Sequence, residues 1–143
     1  MSDARVPSPD ARVAAAIHHW APRFVANGVP LTDFQEVTAG IARWEDWCGA
    51  WSARAAVHEV LGDEAHAQGF NLSAGEHWNR AAVCYHFAKF VFVEDVAQMK
   101  AAHLKAVACR ARAPTWSGST ATASGIHGRS CCRTGLRRPS PDR

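Results

Sequence analysis

Between Phe34 and Ala55 the chain sets apolar residues at Phe34, Val37, Ile41, Trp44, Cys48, Trp51 and Ala55, in alternating steps of three and four. Such steps average to the 3.6-residue turn of an α-helix, so all of these side chains fall on one stripe of a helix surface. A strand is excluded, because its side chains alternate every two residues and the same spacing would scatter over both faces. A stripe this aromatic is stable only when another element covers it, so the chain must build a helix-on-helix core. With 143 residues, 48% of them hydrophobic, there is room for one such domain.

Thr32 and Gln35 form a Thr-x-x-Gln capping box. It predicts that the helix of this seam opens at Thr32 and continues to a stop at Gly69, with Gly49 and Gly62 as its weak points. Ahead of it, the segment Ala11 to Asn27 carries Val13, Ile17, Trp20, Phe24 and Val25 at helical spacing and ends at Gly28, with Pro22 expected to kink or divide it. Ser73 and Glu76 make a second capping box before Trp78, Ala81, Ala82, Tyr85, Ala88 and Phe92. Small Ala81, Ala82 and Ala88 beside large Trp78 and Tyr85 let a neighbouring helix approach closely, as in helical hairpins of the tetratricopeptide kind. A last helix, Glu94 to Arg110, carries Val96, Met99, Ala102, His103, Ala106 and Val107, and the acids Glu94 and Asp95 at its start and the bases Lys105 and Arg110 at its end suit the helix dipole. The expected fold is all-α: four to five helices in antiparallel hairpins over residues 11–110, after a disordered N-terminus of residues 1–10.

Beyond Arg110 the composition changes. The net charge of +3 hides a split: residues 1–110 hold ten Lys and Arg against twelve Asp and Glu, whereas residues 111–143 hold six Arg against Asp142 alone. The tail is built of Ser, Thr, Gly, Arg and Pro without helical or strand periodicity, so disorder is expected. A nucleic-acid arm is disfavoured, because no aromatic residue beyond Trp116 interleaves the arginines. The abrupt loss of acids and surge of Arg, Ser, Pro and Cys is also the pattern of a shifted reading frame in GC-rich DNA. Cys48, Cys84, Cys109, Cys131 and Cys132 include no C-x-x-C pair and read as free thiols rather than as a disulfide framework or a zinc site. There is no apolar run of the length a membrane span needs and no secretion signal in MSDARVPSPD, so a cytoplasmic location without a membrane partner is expected.

Chemistry is sparse. The nearest approach to the G-x-S-x-G elbow of serine hydrolases is Gly128-Arg129-Ser130-Cys131-Cys132, which lacks the second glycine and a preceding apolar strand, and no histidine follows His127. The zinc pattern H-E-x-x-H fails at His58-Glu59-Val60-Leu61-Gly62, where glycine replaces the second ligand. A helical metal site from His58, His66, His77 and His86 is a weaker reading than packed or half-exposed histidines. No catalytic residue, metal or cofactor is therefore expected. Candidate substrate-cavity residues are Trp78, Tyr85, His86 and Lys89. His86 and Lys89, one turn apart beside Tyr85, can offer hydrogen bonds to an acidic or phenolic ligand, against the plainer reading of an exposed helix edge. Trp44, Trp47 and Trp51 read as core or interface, and six tryptophans in so short a chain suggest an aromatic surface seeking a partner.

RWEDWCGAWSARAAVHE (43–59), SAGEHWNRAAVCYHFAKFVF (73–92) and the following EDVAQMKAAHLKAV (94–107) carry a resemblance. Over roughly Ile17 to Arg110 the chain resembles the N-terminal helical region of α/β-hydrolases related to 2,6-dihydroxypseudooxynicotine hydrolase, a group bordering the FrsA-like esterases and the fungal hydrolases that shorten pigment polyketides. The resemblance implies a helical cap that precedes an α/β-hydrolase domain, contributes to its substrate cavity and often to a homodimer contact. It further implies a parent enzyme that cleaves esters, or carbon–carbon bonds beside a carbonyl, through an activated serine without a cofactor. The family's serine, aspartate, histidine and oxyanion donors lie in the later domain, and none has a counterpart here. By this reading the chain is a cap fragment, inactive alone, whose partner is the hydrolase domain. A free-standing helical adaptor is the alternative. If the reading-frame hypothesis holds, DNA translated in the other frames from about codon 110 will continue into a globular hydrolase sequence; the absence of any such continuation would end it.

Overall fold

The computed structural model describes residues 10–90 and 92–113. Expectations for residues 1–9 and for the tail from Pro114 onward, including Trp116, His127 and the Gly128–Cys132 segment, lie outside the described residues. Among those described, the chain is all-helical: α1 (Ala11–Ala26), α2 (Leu31–Ala39), a 3₁₀ turn (Trp44–Asp46), α3 (Trp47–Ala67), α4 (Asn71–Lys89) and α5 (Val96–Arg112). None of these helices is long and apolar enough to cross a membrane.

Every residue of the Phe34-to-Ala55 seam is buried, but the helix is not continuous. It breaks between Ala39 and Trp44 rather than at Gly49 or Gly62. The Thr38 hydroxyl donates back to the Phe34 carbonyl at 2.7 Å, which competes with the helical ladder, and Gly40 follows with its low helix propensity. The carbonyl of Ala42 accepts from the backbone N–H of Asp10 at 3.0 Å, so the break ties this segment to the start of α1. The three-four spacing survives because the residues flanking the break feed the same core.

Helix ends follow backbone geometry more than the capping boxes. Gly28 and Gly69 take φ of 94° and 82°, the left-handed region that glycine enters without steric cost. Each closes a Schellman motif: Gly28 N–H donates to Val25 O and Val29 N–H to Phe24 O, and Gly69 N–H donates to His66 O and Phe70 N–H to Ala65 O. The second motif turns the chain so tightly that α4 starts at Asn71, directly after Phe70, and Ser73 lies inside the helix instead of capping it. Likewise Pro30 precedes α2, leaving Thr32 within the first turn and the Thr32–Gln35 box unused. True side-chain caps are Asp10, accepting from Arg12 N–H at 2.8 Å, and Asp95, accepting from Gln98 N–H at 3.0 Å, so α5 opens at Val96 and not at Glu94. Pro22 does not divide α1, which runs as one helix from Ala11 to Ala26 and buries Val13, Ala16 and Phe24 on both sides of it.

Antiparallel α3 and α4 form the centre, and α5 returns along α4. Ala55 on α3 faces a helix that buries Ala81, Ala82 and Ala88, which allows the close approach expected from its small residues. The Trp47 indole N–H donates to the Phe87 carbonyl at 3.2 Å, satisfying one of the carbonyls that the last turn of α4 leaves without a helical partner. Phe24 brings α1 onto this pair: its ring stacks on Phe87 at 3.7 Å between centroids and meets Phe34, Trp47 and Trp51 at 4.9–6.1 Å. Such aromatic pairs add about 0.5–1.5 kcal/mol each beyond the area they bury. Of the tryptophans among the described residues, Trp20 is partly buried against the core. Trp44, Trp47, Trp51 and Trp78 are all buried within the domain, because the helices close on themselves. Cys48, Cys84 and Cys109 are buried free thiols.

Gly62 sits against Trp78, and a methyl group added there would overlap the indole ring, whereas one added at Gly49 meets nothing within 4 Å. Gly62→Ala is expected to destabilise the fold by about 1–3 kcal/mol through overpacking, and Gly49→Ala to stabilise it by about 0.5–1 kcal/mol through helix propensity. Urea denaturation of both variants checks the pair, and equal effects would refute the close Gly62–Trp78 contact.

Candidate functional site

An open groove of about 710 Å³ lies between α4 and α5, reached also by Asn27 at the end of α1. Its floor is apolar, with Ala82, Val83, Phe87, Ala106 and Val107, and its polar rim consists of Asn79, His86, Lys89, His103 and Arg110. No carboxylate is among the lining residues. Helical periodicity creates the rim: Asn79, His86 and Lys89 on α4 meet His103 and Arg110 on the antiparallel α5, and Arg110 Nη1 donates to Asn79 Oδ1. Desolvation where the ring lies along the groove, with the charges of Lys89 and His103 beside it, lowers the pKa of His86 from its usual 6.5 although the residue is exposed at the rim. An apolar floor with cationic and neutral donors around it suits a flat, acidic or phenolic ligand.

Of the four residues singled out from sequence, the structure brings His86 and Lys89 to this groove and places Trp78 and Tyr85 elsewhere. Tyr85 faces Glu59 on α3, donating its hydroxyl to Oε2 at 3.0 Å, and Lys105 donates to the same oxygen at 3.0 Å. Burial, with the Glu59 carboxylate beside it, pushes the phenol up to about 12. Trp78 donates its indole N–H to Asp63 Oδ1 at 2.9 Å, and Arg112 lies over its ring 4.2 Å from the centroid while pairing with Asp63. Asp63 is correspondingly held below the usual carboxylate range by these donors. The sequence reading missed His103 and Arg110, which it counted only as helix positions. Their spacing of seven on α5 was the available signal.

A second polar cluster lies in the core. Asp33 on α2, His58 on α3 and Cys84 on α4 are buried together, with His58 Nε2 2.6 Å from Asp33 Oδ2. His58 Nδ1 is 3.4 Å from Nδ1 of half-buried His77, whose pKa burial and the neighbouring His58 lower. Arg54 lies 3.8 Å from Asp33 Oδ1 and pairs also with Glu36. The histidines considered from sequence are thus divided. His58 and His77 meet, His66 contacts Asn71 Oδ1 at 3.1 Å, and His86 lines the groove. Burial pushes the Cys84 thiol up to about 12, so it is no free nucleophile.

No family model, curated protein or solved structure matches the chain.

A histidine whose pKa is lower in the fold than in the unfolded chain binds fewer protons when folded, so its contribution to stability is kept above about 6.5 and lost as pH falls through the lowered value. The lowered carboxyl groups of Asp10, Asp63 and Asp95 act in the same direction, but only near and below their usual 3.8. The melting temperature is therefore expected to fall as the pH drops below 6.5, and His86→Gln to flatten that slope. A flat profile across this window would show that the histidines are not protected from protonation.

Proposed function

We propose that the chain is the N-terminal helical cap of a serine-dependent α/β-hydrolase, acting on an ester or on a carbon–carbon bond beside a carbonyl, and that the α4–α5 groove supplies one wall of the substrate cavity. The observation that carries this reading is the groove itself, apolar at its floor, cationic at its rim and free of carboxylates among its lining residues. A substrate with a carboxylate or phenolate end would place that end against Lys89 and Arg110 and its ring on Ala82, Phe87 and Ala106. Val96, Leu104 and Val107 recur on one face of α5 and are 53–65% exposed, which suits coverage by a second domain. In that setting the cap excludes water and orients substrate, while proton transfer and nucleophilic attack belong to residues outside this chain. The same α5 face supports the second reading, a free-standing adaptor, in which another protein covers it.

Purified alone, the chain is expected neither to turn over nitrophenyl esters nor to be labelled by a fluorophosphonate probe. It is expected to bind 4-hydroxybenzoate at the groove, seen as shifts of the His86 and His103 ring signals in NMR titration. Loss of one charged hydrogen bond, as in Lys89→Ala or Arg110→Ala, should weaken that binding roughly tenfold. Robust labelling of a seryl residue would overturn the cap assignment. Binding unaffected by either substitution would overturn the role of the groove.

A further inference from the structure

Asp33, His58 and Cys84 bring three kinds of metal donor from three helices, and their ligand atoms all lie within 4.8 Å of one another. The groove uses none of them. We propose that these three side chains bind one divalent ion of the zinc class, clipping α2 to the α3–α4 pair.

Thiolate and imidazole together select zinc or cobalt over magnesium and calcium, which prefer all-oxygen sites. Charge also balances: a divalent ion with the Asp33 carboxylate and a Cys84 thiolate is neutral overall, which suits residues only 0–8% exposed. On binding, Cys84 releases its thiol proton to solvent and its sulfur bonds the metal. His58 binds as the neutral tautomer that carries its proton on Nδ1, leaving the Nε2 lone pair for the ion, and this Nδ1–H donates a hydrogen bond to Nδ1 of His77, 3.4 Å away. A partner on the second ring nitrogen is the usual device that fixes the orientation of a ligating histidine. Zinc bonds of about 2.0–2.1 Å set neighbouring tetrahedral ligands roughly 3.3 Å apart. Asp33 Oδ2 and His58 Nε2, now 2.6 Å apart, therefore separate by about 0.7 Å, a modest side-chain rotation. Arg54 stays paired with Glu36 and with Asp33 Oδ1, leaving Oδ2 for the ion. Three protein ligands leave the fourth tetrahedral position to water.

The test is titration of the metal-free full chain with Co²⁺. One ion per chain is expected, with a thiolate-to-cobalt charge-transfer band that Zn²⁺ displaces while raising the melting temperature. Cys84→Ser and His58→Gln are expected to lose the band and weaken binding more than about tenfold, with circular dichroism confirming that each variant remains helical. Cys131→Ser/Cys132→Ser should retain it, separating the core from the cysteine pair of the tail. If Cys84→Ser fails to fold, the unaltered chain still answers the question: X-ray absorption of the zinc-loaded protein should show one sulfur at about 2.3 Å among nitrogen and oxygen neighbours at about 2.0–2.1 Å. No thiolate band, a band that survives Cys84→Ser, or a bound zinc without a sulfur neighbour would each overturn the site.

Discussion

The rest of the structure depends on how closely α3 and α4 approach. Buried Ala55 and Gly62 on α3, with Ala74, Ala81 and Ala88 on α4, leave little side chain between the two backbones, so the large groups are pushed to the edges of the interface. There they become attachment points. Trp47 reaches across to the last turn of α4, Phe87 receives the ring of Phe24 from α1, and Trp78 fills the space at Gly62. Surface ion pairs such as Arg12 with Glu94, both half-exposed, decorate this arrangement but contribute little to it, because water screens them.

Helix α4 consequently serves two environments. One flank, bearing Trp78 and Tyr85, is committed to polar contacts with Asp63 and Glu59 of α3 and to the cations Lys105 and Arg112 of α5. Those carboxylates are already occupied, and Tyr85 with Lys105 also lines a smaller cavity of about 300 Å³ between α3 and α5. The other flank, bearing Asn79, His86 and Lys89, borders the α4–α5 groove. The proposed ligand-binding role and the proposed metal clip fall on different sides of the same helix, with Cys84 turned into the core and His86 turned to the groove. Binding at one need not disturb the other.

Periodicity made the core readable residue by residue. The seam from Phe34 to Ala55 is buried throughout, and Gly28 and Gly69 end helices where their sequence positions suggest. The break at Gly40 is hidden in the sequence because the three-four spacing passes through it unaltered, whereas the extended backbone of Arg43 and the Asp10 N–H to Ala42 carbonyl bond show that the chain has left the helix. The capping boxes misled for a local reason. Pro30 and the Schellman turn at Gly69 put the N-caps of α2 and α4 at Pro30 and Phe70, two and three residues before Thr32 and Ser73, and a capping side chain is effective only at the boundary itself. His86 and Lys89 could be paired from their spacing of three, since both lie on one helix. His103 and Arg110 could not be joined to them, since that contact is set by how α5 packs on α4.

By itself the sequence determined an all-α chain with a tryptophan-rich seam and a change of composition near Arg110, because helix periodicity, glycine stops and charge distribution are local properties. Only the tertiary structure decided that Trp44, Trp47, Trp51 and Trp78 are buried within the domain, which residues line the groove, and that Asp33, His58 and Cys84 meet. Their separations of 25 and 26 residues along the chain carry no signal of contact. They meet because three helices converge on one core, and the placement of each helix is fixed by the packing of all the others.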